Sequence, residues 1–241
     1  MLVKRAMSKN VVSVSVPGNR EKVLDLMRKE DKAVLPVVKG DTKQLVGLIT
    51  RSDLIVNPDE EQIAILMSTD LVTASPDDDV KDVAKKMIDN NVRRVPVVDD
   101  NGDLVGIITS FDLVSNALIK LESDDPVENF MITTVPTTWY KTPLNVAFET
   151  MKQFGLKSVL ALNDSAKLVG ILTETDFIEE SEIISERSEH SSTVGTEGDK
   201  WSWDSTSVLY IEKNCLKFTD KLVEDVGTHK VEVVNSKTKA S

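Results

Sequence analysis

The chain has 241 residues, 40% of them apolar and 29% charged, enough to build one large or two small cores. Forty Asp and Glu outnumber 29 Lys and Arg, a formal net charge of -11 that argues against nucleic acid or an anionic membrane surface as the general partner. One cysteine, Cys215, and two histidines, His190 and His229, exclude a disulfide framework and a tetrahedral Cys/His zinc site within one chain. With no signal-like N-terminal segment and no run of eighteen apolar residues, the expectation is a soluble, cytoplasmic protein.

In chain order, the first feature is Met7, opening MSKNVVSV. Similar segments open at Met67 (MSTDLVTA) and Met131 (MITTVPTT), a repeat of about sixty residues. A second methionine follows at the same offset in each copy, at Met27, Met87 and Met151. The sequence predicts a short strand after each leading Met: Val11–Val14, Leu71–Ala74 and Val135–Thr138. An amphipathic helix follows, with apolar residues at helical spacing such as Val80, Val83, Ala84 and Met87. Two β-branched-rich strands come next, in copy two Val95–Val98 and Leu104–Thr109 around the turn sequence Asp-Asp-Asn-Gly-Asp. Each copy then runs Leu-Val-Gly, two apolar residues, Thr, two variable residues, Asp and an apolar residue, where a last helix begins.

The expected fold class is therefore α/β (α+β), as tandem β-α-β-β-α repeats. One copy is too small to cover its own sheet, so copies should pair, the first with the second. The expected boundaries are repeat 1 at 1–58, repeat 2 at 59–122, repeat 3 at 123–180 and a linker with a β-hairpin at 181–220. The start of a fourth repeat at 221–241 is cut short, with Gly227 where the other copies carry Met. Within 181–220 the polar first half reads as a helix end running into a mobile linker. The second half reads as a hairpin whose strands flank Glu212-Lys213-Asn214, anchored by Trp201 and Trp203.

These copies resemble CBS domains, over residues 7–178 and again as a fragment at 221–241. The resemblance implies that two copies pack their sheets into a Bateman module. It also implies a regulatory ligand with an adenosine moiety: AMP, ADP, ATP or S-adenosylmethionine. In such sites the Asp of Thr-x-x-Asp holds the ribose hydroxyls and the nearby Thr or Ser contacts phosphate or ribose. The matching residues are Thr50, Ser52 and Asp53 in copy one, Thr109 and Asp112 in copy two, and Thr173, Thr175 and Asp176 in copy three. Sites of this kind are shared across a pair. Asp53, Thr50 and Ser52 are then expected to face Val72, Val92 and Arg93, and Asp112 and Thr109 to face Val12 and Lys32. The basic pair Arg93-Arg94 makes the Asp53 site the better phosphate site, and Leu160 and Lys157-Ser158 make copy three the most divergent.

The chemistry suits such a ligand. A carboxylate accepts two hydrogen bonds from a vicinal diol, and N–H groups at a helix start favour an anion. The same residues fit other roles. Thr-x-x-Asp before an apolar run is also a capping box, and Arg93-Arg94 is also a solvated pair among many carboxylates. Trp139 and Tyr140 suit either base stacking or interface packing. The sequence shows no nucleophile with a base, no phosphate-loop glycines and no dinucleotide fingerprint, so the expectation is a sensor, not an enzyme. Its output would pass to an unidentified protein partner or to a homodimer. A ligand-independent dimerisation scaffold is the alternative.

Overall fold

A computed structural model describes residues 1–115, 124–193 and 206–239, the side chains of 185–193 and 206–216 excepted. In repeat 1, β1 (Val14–Val16) lies parallel to β2 (Val34–Lys39), which pairs antiparallel with β3 (Leu45–Thr50). Between β1 and β2 runs α1 (Arg20–Lys29). Asn19 caps it by accepting the Lys22 N–H at 3.3 Å, and its inner face buries Val23, Leu24 and Met27. The repeat closes with α2 (Arg51–Val56).

Repeat 2 opens on a one-turn helix, α3 (Ile63–Leu66), and continues with α4 (Val80–Asp89), β4 (Arg94–Val98), β5 (Leu104–Thr109) and α5 (Ser110–Leu113). Repeat 3 has β6 (Thr137–Trp139), α6 (Leu144–Phe154), β7 (Ser158–Leu162), β8 (Leu168–Thr173) and α7 (Glu174–Glu180). The first strand of each copy is shorter and later than expected. It is Val14–Val16 in copy one and Thr137–Trp139 in copy three, and in copy two it reduces to one parallel bridge from Ala74 to Val97. Only where the chain reaches the edge of its own β2 or β7 does it find a ladder partner, so the residues just after the Met bond elsewhere.

That other partner is the neighbouring repeat. Ser8 exchanges two backbone hydrogen bonds with Ile107, at 2.9 and 3.0 Å, and Ser68 does the same with Leu48, at 2.8 and 3.0 Å. Repeats 1 and 2 thus lend their leading segments to each other's sheets and form the expected pair. The glycine of Leu-Val-Gly makes room for this exchange. A Cβ on Gly47 would stand 2.5 Å from the Met67 sulfur, and one on Gly106 2.5 Å from that of Met7. The fourth fragment docks on repeat 3 in the same way. Its short helix α8 (Val223–Val226) buries Val223, and Thr228 pairs with Ile171. Gly227 stands in the Met position because a Cβ there would meet the Ile171 carbonyl oxygen at 3.2 Å.

Two apolar cores form among the described residues. One lies within repeat 2 and takes in Val3 and Ala6 from the N-terminus. The larger joins repeat 1, α3 at the start of repeat 2, repeat 3 and Val223. Arg28 fastens that junction, donating from Nη2 to the Ile178 and Ser181 carbonyl oxygens at 2.7 and 2.6 Å.

The segment after repeat 3 departs from the sequence expectation. Residues 181–193 are not a helix end leading into a linker but a strand, β9 (Ser181–Thr193), antiparallel to β10 (Thr206–Phe218) over thirteen pairs. Glu212, Lys213 and Asn214 are not its turn. They lie mid-strand, opposite Arg187, Glu186 and Ser185. Polar Ser/Glu-rich stretches lack the alternation that marks a strand, so pairing with 206–218 decided the outcome. Trp201 and Trp203 lie outside the described residues. No helix among the described residues is long and apolar enough to cross a membrane.

Candidate functional site

The three Thr-x-x-Asp motifs all form capping boxes. Asp53 Oδ2 accepts the Thr50 N–H and hydroxyl, both at 2.7 Å. Asp112 Oδ2 accepts those of Thr109 at 2.8 and 2.6 Å, and Asp176 Oδ2 those of Thr173 at 2.7 and 2.8 Å. Each Thr is the N-cap and each Asp sits at the third helical position, as the spacing requires. Capping does not exhaust a carboxylate. Two oxygens offer about four acceptor sites, so the same group can still receive a diol.

At the seam of repeats 1 and 2 lies a cleft of about 320 Å³, within the range of roughly 300–1,000 Å³ typical of small-molecule sites. Val12, Lys32 and Thr109 line it together, the grouping expected for the second site, with Asp112 directly behind Thr109. Arg94 and Arg51 line it too. Arg94 opens β4 directly across the ladder from Thr109, which places it on the Thr109 side, not with Asp53. Its side chain as a whole is exposed, yet loss of water around the guanidinium, with Arg51 and Arg93 close by, makes it hold its proton less tightly than an ordinary arginine; Glu174 pulls the other way. Lys32, Arg51 and Arg94 against the single acid Asp31 make this cleft locally cationic in an acidic chain.

The other expected grouping is less closely knit. Val72 and Val92 pack against the repeat 2 core. Arg93 is exposed, and its carbonyl accepts the Ser110 N–H at 2.9 Å. Among the described residues no hydrogen bond joins Asp53 to Val72, Val92 or Arg93. Ser52 turns toward repeat 3 and donates to Glu174 Oε1 at 2.6 Å. Thr175 accepts a hydrogen bond from Arg51 Nη1, so both hydroxyls serve the contact between α2 and α7. Trp139 and Tyr140 both donate to Asp164, at 2.9 and 3.2 Å, and meet edge to face.

Arg51 is the residue that the sequence reading passed over. It fills a variable place in the motif, where the other copies have Ser110 and Glu174. A charged residue beside three polar motif residues was the available signal.

Reciprocally paired β-α-β-β-α repeats with a shared cleft at their seam define a tandem-repeat fold. The chain belongs to the CBS domain family, whose pattern matches residues 3–58, 61–118 and 127–182. It is similar to the uncharacterized protein MJ1225 of Methanocaldococcus jannaschii, 23% identical over 197 residues, covering 73% of this chain and 70% of that protein. The crystal structure of MJ1225, described as a candidate archaeal homolog of g-AMPK, matches 99% of this chain and 86% of its own with a TM-score of 0.76 at 19% identity. The uncharacterized protein MK0525 of Methanopyrus kandleri is 36% identical over 85 residues, and the chain spans 43% of its length. Inosine-5'-monophosphate dehydrogenase of Nitrosopumilus maritimus is 35% identical over 120 residues, which are 47% of this chain and 24% of the enzyme.

Proposed function

We propose that the chain is a regulatory module, not a catalyst, that binds an adenosine-type ligand in the cleft between repeats 1 and 2. Membership of the CBS family supports the ligand class. The observation that carries the reading is the convergence of Lys32, Arg51 and Arg94 with Thr109 and Val12 around one cleft. Three cations favour AMP, ADP or ATP over S-adenosylmethionine, which carries a sulfonium and no phosphate. Thr109 and Asp112 suit the ribose, and the guanidinium groups suit phosphate oxygens in bidentate geometry. Filling the cleft bridges two repeats and so biases their relative placement, which a protein partner or a second copy of the chain would read.

A thermal-shift series tests this. ADP at a hundredfold excess over its Kd should raise Tm by roughly 5–10 °C, and Arg94→Gln should abolish most of that rise. No shift with AMP, ADP, ATP or S-adenosylmethionine overturns the reading.

The ligand-independent scaffold has one observation in its favour. All three Asp carboxylates cap helices, and Ser52 and Thr175 are spent on contact between repeats. It requires partner affinity to be the same with and without nucleotide.

A further inference from the structure

Arg51 reaches all three repeats. Its backbone belongs to the repeat 1 motif, and the residue lines the cleft that Arg94 and Thr109 of repeat 2 complete. Nη1 donates to Thr175 of repeat 3, and Nη2 lies 3.3 Å from Asp31 Oδ1. The residue is only 8% exposed, and its buried Nε–H has no hydrogen-bond partner among the described residues. Desolvating a guanidinium is costly unless its charge and donors are matched. The matching here is incomplete. Thr175 is neutral, and Asp31, 90% exposed, keeps its charge in water. The nearby Arg94 adds repulsion instead of relief.

We propose that Arg51 is the specificity-determining residue of the cleft, reading the anionic end of the ligand, and that Thr175 of repeat 3 positions it. This rests on the cleft being a ligand site. An anion in the cleft supplies the missing countercharge. Thr175 fixes the guanidinium against the cleft wall, so the ordering of Arg51 that it provides need not be supplied by the ligand. By linkage, an anion that holds Arg51 in place also strengthens its bond to Thr175 and hence the contact of α2 with α7. An uncharged ligand in the same cleft has no such leverage. The seam between repeats 1 and 2 would thereby report phosphate to repeat 3.

The test compares ADP with adenosine by titration calorimetry on the full chain. Arg51→Gln should weaken ADP about ten- to a hundredfold and leave adenosine within twofold, with a shallower salt dependence for ADP. Thr175→Val, which keeps the shape of a half-buried side chain, should weaken ADP about threefold with adenosine unchanged. Hydrogen exchange in α7 should slow on adding ADP to the wild type and not to Arg51→Gln. Because Arg51 is buried, Tm of each variant is compared first, and Thr175→Val carries the test if Arg51→Gln fails to fold. An unchanged ADP-to-adenosine ratio in Thr175→Val, or equal losses for both ligands in Arg51→Gln, overturns the proposal. If Arg94→Gln alone lowers that ratio, the cleft is a ligand site and the role of Arg51 falls. If the wild type binds neither ligand, both readings fall together.

Discussion

Two residue types explain most of the spacing in the repeat. The Gly of Leu-Val-Gly is needed less for backbone freedom than for absence of a side chain, because a methionine from the neighbouring repeat occupies that space at Gly47 and Gly106. Gly47→Val should therefore destabilise the pair by about 1–3 kcal/mol through overpacking. Met67→Ala in the same chain should recover part of the loss, which denaturant unfolding of the single and double variants measures as a coupling. Purely additive losses would show that the two side chains do not compete for this space. The third glycine of this type, Gly170, faces the Thr228 backbone instead, whose carbonyl oxygen would stand 3.1 Å from a Cβ there. That is why copy four dispenses with its methionine.

Among the elements, the helix starts carry most of the polar bonding. Each Thr-x-x-Asp box satisfies N–H groups that a short helix leaves open. Substituting Asp53 or Asp112 by Ala thus costs stability as well as any ligand contact, so ligand binding is better tested at Arg94. The start of α4 offers a pH test. The Ser75 N–H and Lys86 each donate to Asp78 at 3.1 Å, and the Ser75 bond foremost holds its carboxyl below the ordinary aspartate value. A carboxyl depressed in the folded state stabilises fully above its unfolded value, near pH 4. That contribution is lost as pH falls through the lower folded value. Urea unfolding should show wild-type stability declining more steeply than that of Asp78→Asn between roughly pH 4 and pH 2. Parallel curves would remove Asp78 from the acid response.

At the scale of the whole molecule, the unforeseen feature is a core that fuses repeats 1 and 3 across the boundary between pairs. Phe177 of α7 is its centre, 1% exposed, with ring centroids 5.4 Å from Phe148 and 5.5 Å from Phe218. Phe177→Ala should cost about 3–5 kcal/mol. It should also split thermal unfolding into two transitions by calorimetry, since repeat 2 keeps its own core. A single transition at unchanged Tm would show that this cluster does not hold the repeats together.

The repeated Met, Leu-Val-Gly and Thr-x-x-Asp patterns were enough to read three β-α-β-β-α units, their pairing and the capping boxes. Those features rest on local periodicity, turn chemistry and hydrogen bonds within a few residues, all of which a linear pattern records. Val12, Lys32 and Thr109 could be grouped only through the resemblance to CBS domains, which implies sites shared across a pair. Three things were decided only by the folded chain. Residues 181–193 became a strand because 206–218 lay alongside. Arg94, one position past the residue expected to lead, entered the cleft because the ladder set it opposite Thr109. Arg51 came to link the cleft with Thr175 because the docking of α2 on α7 is a contact between residues 124 apart in sequence. Contacts at that separation follow from how whole repeats stack, and no motif within one repeat encodes them.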